Sequence, residues 1–327
     1  MNVRLGFVPL TDCAPLAAAQ VLGAFANEGL EVEFSREASW ATLRDKLAVG
    51  AIDAAHLLAP MALAASAGVG SEPAELVVPM ALATGGAAVT LSARIAARGA
   101  VADPAEALRA LVERRRTAGA SVLTFAVVFP YSIHAYLLRA WLAHAGIDPD
   151  SDVRLTVAPP PRMAELLAGG VIEGFCAGEP WNVAAEAADA GRIAVRAAEL
   201  WPRAPDKVLA VGRRWAEADP ARLAAVIRAL SRGAARADAP EHRSELARLL
   251  AEPQWVGAAP ELIAPGLVHL AFQRDEVGRP RLEDALWLVD QMRRWGQFDA
   301  SADTEALARR VYRPDLYEAS TLAAPEI

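Results

Sequence analysis

The chain has 327 residues, 54% of them hydrophobic and 22% charged, with a net charge of −7. That balance excludes a disordered or fibrous chain, and the length suits two domains with cores of their own. A net-acidic chain is a poor non-specific ligand for nucleic acid, so any anion must be held locally, against the overall charge. No stretch approaches the roughly 20 apolar residues of a membrane span, so no membrane insertion is expected. Met1 to Pro9 reads directly as a strand, without the basic and apolar regions of a leader. A cytoplasmic chain is therefore expected if Met1 is the natural start, and a periplasmic one if a leader precedes it. Cys13 and Cys176 are isolated and read as small buried side chains.

Val3 to Val8 is the first strand. Thr11 or Asp12 then caps a helix with Pro15 in its opening turns, ending near Gly29. Leu30 to Phe34 alternates as a strand. Trp40 to Val49 is helical, Asp53 to Leu58 a strand, Pro60 to Ala67 a helix and Leu76 to Leu82 a strand. Strands alternating with helices predict an α/β architecture with largely parallel sheets. Thr84 to Ala88 breaks the pattern, and Val89 to Leu91 opens a second lobe. That lobe continues through a helix from Asp103-Pro104 to Thr117, a strand at 121–128 and a helix at 131–145. It then has a strand at 153–157, a helix at 162–168, a strand at 171–176 and a helix at 181–190. Ile193 to Arg196 reads as the return to the first lobe, where Lys207 to Val211 is a strand. From Trp215 onward the chain is helical, with Asp219-Pro220 opening one helix. The expected domains are 1–88 with 197–327, and 89–196. The run Arg114-Arg115-Arg116 ends a helix, where cations suit the dipole.

Catalytic signatures are missing: the chain has no G-x-S-x-G, no P-loop and no H-E-x-x-H, and no glycine fingerprint follows the first strand. Its five histidines lack metal-ligand spacing. The expectation is a protein that is not an enzyme and holds no metal or cofactor. Ligands of open α/β sheets bind beyond the carboxyl ends of the strands. Thr11-Asp12, Trp40, His134 and Gly178 to Trp181 all sit where strands hand over to helices. Lys207, at a strand start, joins them if the fold brings it there. Each also has a plainer role: Trp40 in packing, His134 as a cap or filler, Lys207 at an exposed edge, Asp12 as an N-cap. Together they suggest a pocket for a small planar anion, with charge from Lys207, a directed N–H from His134, a backbone N–H from Gly178 and a flat wall from Trp40. Glu179 would repel such a ligand and is expected to turn away and pair or cap elsewhere. Pro180 suits the first turn of the helix that follows, whose N-terminus would favour an anion.

At these residues the chain resembles the nitrate- and bicarbonate-binding proteins of ABC importers, and more closely their cytoplasmic relatives, the NasS-type nitrate/nitrite sensors. The matching stretches are Phe7 to Leu16, Ser35 to Trp40 with Arg44-Asp45-Lys46, Asp53 to Met61, and Phe129-Pro130 with His134. Further on come Pro159 to Pro161 with Met163, Phe175 to Asn182, Lys207 to Ala210 and Tyr312 to Tyr317. The resemblance implies a type II periplasmic-binding-protein-like fold, two α/β lobes around an interlobe cleft. It places the ligand contacts on Trp40, His134, Gly178 and Lys207, to which the strand-end position adds Thr11. It also implies a small inorganic anion, nitrate or nitrite, and an antiterminator protein as partner. That partner, rather than this chain, would touch RNA. The alternative is the solute receptor of an importer for nitrate, bicarbonate or another small anion. One contact departs from the family: where the nitrate importers carry a glutamine, this chain has Ala87.

Overall fold

The computed structural model describes residues 1–96, 103–299 and 301–322. Among these the strands are β1 (Asn2–Phe7), β2 (Glu31–Arg36), β3 (Ala54–Leu58), β4 (Leu76–Gly85), β5 (Ala87–Ser92), β6 (Leu123–Val127), β7 (Val153–Val157), β8 (Gly174–Gly178), β9 (Gly191–Arg196), β10 (Pro205–Gly212) and β11 (Leu270–Ala271). The chain divides into two compact units, Met1–Gly85 with Ala204–Ile327, and Gly86–Arg203. Residues 86–88 and 197–203, assigned above to the first lobe, go with the second unit.

In unit 1 the strand order is β11-β4-β10-β3-β1-β2. Val3, Leu5 and Phe7 are buried, and β1 accordingly lies inside the sheet, parallel to both β2 and β3. The expectation of largely parallel sheets needs correction. β10 runs antiparallel to β3 and to β4, because the chain leaves the unit at the end of β4 and re-enters at the start of β10. This reversal matters for the site: it puts Lys207 opposite Leu58, at the carboxyl end of β3.

The helix Pro220–Asp238 packs its apolar stripe of Leu223, Val226, Ile227 and Leu230 against the core. Asp219 caps it, accepting from the Arg222 N–H at 2.9 Å. The first expected helix is two pieces, Ala14–Val21 and Ala24–Asn27, because Gly23 adopts the left-handed conformation between them.

In unit 2 the order is β7-β6-β8-β5-β9. β6 is parallel to β7 and β8, while β5 is antiparallel to β8 and β9. Residues 193–196, read from sequence as the return to the first lobe, are instead part of β9, paired along β5. Asp103 caps the helix Pro104–Thr117 by accepting from the Ala105 N–H. In the basic run at its end, Arg115 donates to the Ser121 carbonyl and Arg116 pairs with Glu113. Phe125, Leu137, Leu138 and Phe175 fill the core of this unit. Among the described residues no helix is long and apolar enough to cross a membrane.

Candidate functional site

In unit 1 the carboxyl ends of β1 and β3 and the reversed start of β10 lie together. Thr11 and Asp12 occupy the single 3-10 turn after β1. Trp40 is the first residue of the helix Trp40–Ala48, whose cap, Ser39, accepts from the Thr42 N–H at 3.2 Å. His56 lies within β3, and Asp206 and Lys207 open β10. All six side chains are buried.

The Lys207 ammonium pairs with Asp12 Oδ2 at 2.8 Å and with Asp206 Oδ1 at 2.6 Å. Its Nζ lies 5.6 Å from the Trp40 ring centroid, within cation–π range. Asp12 Oδ1 is 3.5 Å from His56 Nε2. Burial works against the charge on Lys207, but Asp12 and Asp206 outweigh it and hold its pKa above the ordinary value. Burial pushes the Asp206 carboxyl up, with Lys207 opposing. Thr11 Oγ1 and Trp40 Nε1 are buried without a hydrogen-bond partner among the described residues. Buried polar atoms are nearly always paired, so orphaned groups clustered in one place point to a ligand or ordered water.

Asp12 is therefore not the N-cap expected from sequence. The helix Ala14–Val21 has no side-chain cap, and the Asp12 carboxylate serves Lys207 instead. Asp206 was not a candidate at all. Adjacent residues of a regular strand point to opposite faces, which would send Asp206 away from Lys207. The β10–β4 register shifts on both sides of Lys207, and this irregularity coincides with both side chains meeting.

Burial draws the His56 imidazole down to about 4, with Lys207 also lowering it and Asp12 and Asp206 opposing. His56 is thus neutral at pH 7. The unfolded imidazole, with its ordinary value of 6.5, binds a proton across a window in which the folded one does not. This contribution to stability is present above pH 6.5 and is lost as pH falls toward 4. The raised Asp206 acts with the opposite sign as pH approaches the ordinary carboxylate range. A His56→Gln variant is expected to lose about 2 kcal/mol less stability than the native protein between pH 6.5 and about 4.5. Urea denaturation at the two pH values measures the difference; equal losses would show that His56 does not carry this linkage.

In unit 2, β6 and β8 are parallel neighbours; Gly178 is the carboxyl end of β8, and His134 lies in the helix that follows β6. His134 is fully buried in the first turn of the helix Ile133–His144, which Ser132 caps through the Ala135 N–H at 3.1 Å. Gly178 ends β8 opposite Ala87. Glu179 is 1% exposed and turns to Arg196, pairing at 2.8 Å, while its second oxygen accepts from the Val183 N–H at 3.2 Å. The N-terminus of the helix Trp181–Ala187, read from sequence as a receptor for an anion, is thus already served by the protein's own carboxylate. Pro180 is the residue before that helix rather than within its first turn. Asn182 braces the junction by donating to the Ala177 carbonyl and accepting from Thr90, both at 2.9 Å. Sequence reasoning missed Arg196 and Asn182, whose partners lie across the sheet or around the turn.

Burial raises the Glu179 pKa, with Arg196 opposing. An Arg196→Met variant leaves this buried carboxylate without its cation and is expected to cost about 3 kcal/mol at neutral pH. Adding Glu179→Gln should restore most of it. A double variant as unstable as the single one would show that Arg196 acts through packing alone.

The profile of the NMT1-like family matches residues 1–251. The nitrate/nitrite binding protein NrtA of Synechococcus elongatus is 32% identical across 98% of this chain and 78% of its own length. The chain belongs to the NMT1-like family. Another relative of this NMT1-like chain, the nitrate import ATP-binding protein NrtC of Synechocystis, is 36% identical over 97% of the chain and 49% of its own length. The chain therefore spans about half the length of that relative. The crystal structure of the periplasmic nitrate-binding protein NrtA from Synechocystis PCC 6803 matches with a TM-score of 0.90 at 26% identity, covering 98% of this chain and 88% of that one. The alkanesulfonate-binding protein SsuA from Xanthomonas axonopodis pv. citri, bound to MOPS, matches with a TM-score of 0.70 at 16% identity, covering 98% and 97% of the two chains, and this shows the fold alone. The NMT1-like chain has the α/β fold of these periplasmic binding proteins. These relatives are named for binding and import, not for catalysis.

Proposed function

We propose that the chain binds a small oxyanion of the nitrate, nitrite or bicarbonate class. The contacts proposed within unit 1 are Thr11, Trp40 and Lys207; His134 and Gly178, within unit 2, are proposed as ligand-binding residues from the resemblance alone. The observation that carries this reading is the Lys207 ammonium buried beside the Trp40 ring, in company with the orphaned donors of Thr11 and Trp40. An ammonium has three N–H donors. Asp12 and Asp206 occupy two, which leaves one for an anion oxygen. A planar anion suits the flat face of Trp40. Ala87 offers no side-chain donor, so the site relies on backbone N–H groups or water where the importers use a glutamine. Calorimetric titration with nitrate, nitrite and bicarbonate tests the reading, and no heat at millimolar concentrations of all three would overturn it.

The finer role we infer from the resemblance is that of a cytoplasmic sensor controlling an RNA-binding antiterminator. Binding would favour one conformation of the chain, and a partner that prefers the other is then released by the ligand. The names of NrtA and NrtC favour a second role, the solute receptor of an importer. Affinity capture from the native cell separates them: a soluble protein released by nitrate supports the sensor, and a membrane permease supports the receptor.

A further inference from the structure

His56 is an unusual residue to find in the middle of β3. All five residues of that strand are buried, and the other four, Ala54, Ala55, Leu57 and Leu58, are apolar. A leucine would fill such a position without bringing two ring nitrogens that need partners. Across β10 the residue opposite His56 is Leu209, which offers no side-chain partner. The ring faces Asp12 instead. Its Nε2 lies 3.5 Å from Oδ1, and the imidazole also meets the Asp12 backbone carbonyl. Neither contact is a fully formed hydrogen bond. Polar pairs of a site without ligand are commonly this long and tighten when the ligand arrives.

The Asp12 carboxylate thus has one oxygen for each neighbour. Oδ2 stands 2.8 Å from Lys207 Nζ, and Oδ1 faces the imidazole. The division matters because an ammonium has only three donors. Asp206 Oδ1, at 2.6 Å, takes one of them. A carboxylate free to turn can set both its oxygens on one ammonium. Asp12 would then take two donors and Asp206 the third, leaving none for an anion. Every residue in this chain of contacts belongs to unit 1.

The structure assigns His56 as a positioning residue of the anion site: the imidazole donates from Nε2 to Asp12 Oδ1, fixes the turn of that carboxylate, and so reserves one Lys207 N–H for the anion. The inference rests on the anion-binding reading above and names the residue on which its free donor depends. A neutral imidazole suits the task. It carries its proton on Nε2 when that nitrogen faces a carboxylate. An imidazolium would instead set a second cation beside Lys207 and compete with it for Asp12. Burial, which keeps the imidazole neutral at pH 7, agrees with this role. The Trp40 ring lies 6.5 Å from the imidazole at 34°, so one indole flanks both His56 and the Lys207 ammonium.

The test is calorimetric titration of the full chain with nitrate at about pH 7, with thermal unfolding of each variant. His56→Leu removes the donor at little change of volume, and its Kd should rise about tenfold, the worth of one buried polar contact. His56→Gln carries an amide N–H to the same place and should bind within about threefold of the native chain. Stability should run the other way: leucine buries no unpaired amide, so His56→Leu should unfold at or above the Tm of His56→Gln. Asp12→Asn has a single acceptor oxygen, and in that background His56→Leu should leave the Kd unchanged. A native Kd in His56→Leu, or affinities that follow Tm, overturn the inference while leaving anion binding intact. A tenfold loss that persists in the Asp12→Asn background overturns the route through Asp12. Nitrogen NMR of the native imidazole needs no variant: Nε2 should be protonated with and without nitrate, and a proton on Nδ1 alone overturns the inference. An absence of heat with the native chain overturns the anion reading itself, and the inference with it.

Discussion

Replacing Lys207 by Met is expected to abolish nitrate binding and to cost about 3–5 kcal/mol of stability, a drop in Tm on the order of 10 °C. Both effects follow from one geometry. Lys207 is 0% exposed and sits between two carboxylates at 2.8 and 2.6 Å. Removing the cation takes from the buried Asp12 and Asp206 the charge that both pair with, and it removes the one full positive charge of the proposed site. Two roles are separable here. A triple variant with Lys207→Met, Asp12→Leu and Asp206→Leu should recover much of the lost stability, because apolar groups of similar volume replace a buried ion group at little cost. It should not recover nitrate binding. Thermal unfolding and calorimetry on both variants measure the two effects; unchanged nitrate affinity in the single variant would remove Lys207 from the site.

The second large effect is expected far from any ligand. Gly233 lies within the helix Pro220–Asp238 where it crosses the helix Ala14–Val21. In an exposed helix, Gly→Ala stabilises by about 1 kcal/mol. Here the added Cβ would overlap the backbone carbonyl of Pro15 and lie 2.8 Å from Ala19 Cβ. A backbone oxygen cannot swing aside as a side chain can, so the helices must separate. Gly233→Ala is expected to destabilise by about 2–3 kcal/mol, the usual cost of overpacking. The helix Ala14–Val21 follows Asp12 with one residue between, so the same shift should weaken anion binding several-fold. Stability equal to or above that of the native chain would show that the crossing is loosely packed.

The elements that follow from short-range patterning were legible in the sequence. β1, the cap at Asp103, the cap at Asp219 and the turning-away of Glu179 each depend on residues close by in the chain or on a simple charge argument. What was not legible depends on pairing between distant segments. Nothing local says that β10 runs antiparallel between β3 and β4, or that β9 stays with β5. The same holds within the candidate site. Lys207 was visible as a lysine at a strand start, but its two carboxylates were not. Asp12 looked like a cap because it stands before a helix, and Asp206 drew no reading, since a regular strand sends neighbouring side chains to opposite faces. The register shift around Lys207 undoes that alternation, and no residue there announces it. The visible signal was the adjacent Asp206-Lys207 pair within an otherwise apolar strand, an unusual combination to bury.

A crystal structure of the full chain grown with nitrate at about ten millimolar addresses the central claim most directly. The account predicts a nitrate with one oxygen within hydrogen-bond distance of Lys207 Nζ, its plane against the Trp40 ring and Thr11 beside it. Nitrate bound elsewhere, or no nitrate beside an undisturbed Asp12–Lys207–Asp206 cluster, would contradict it.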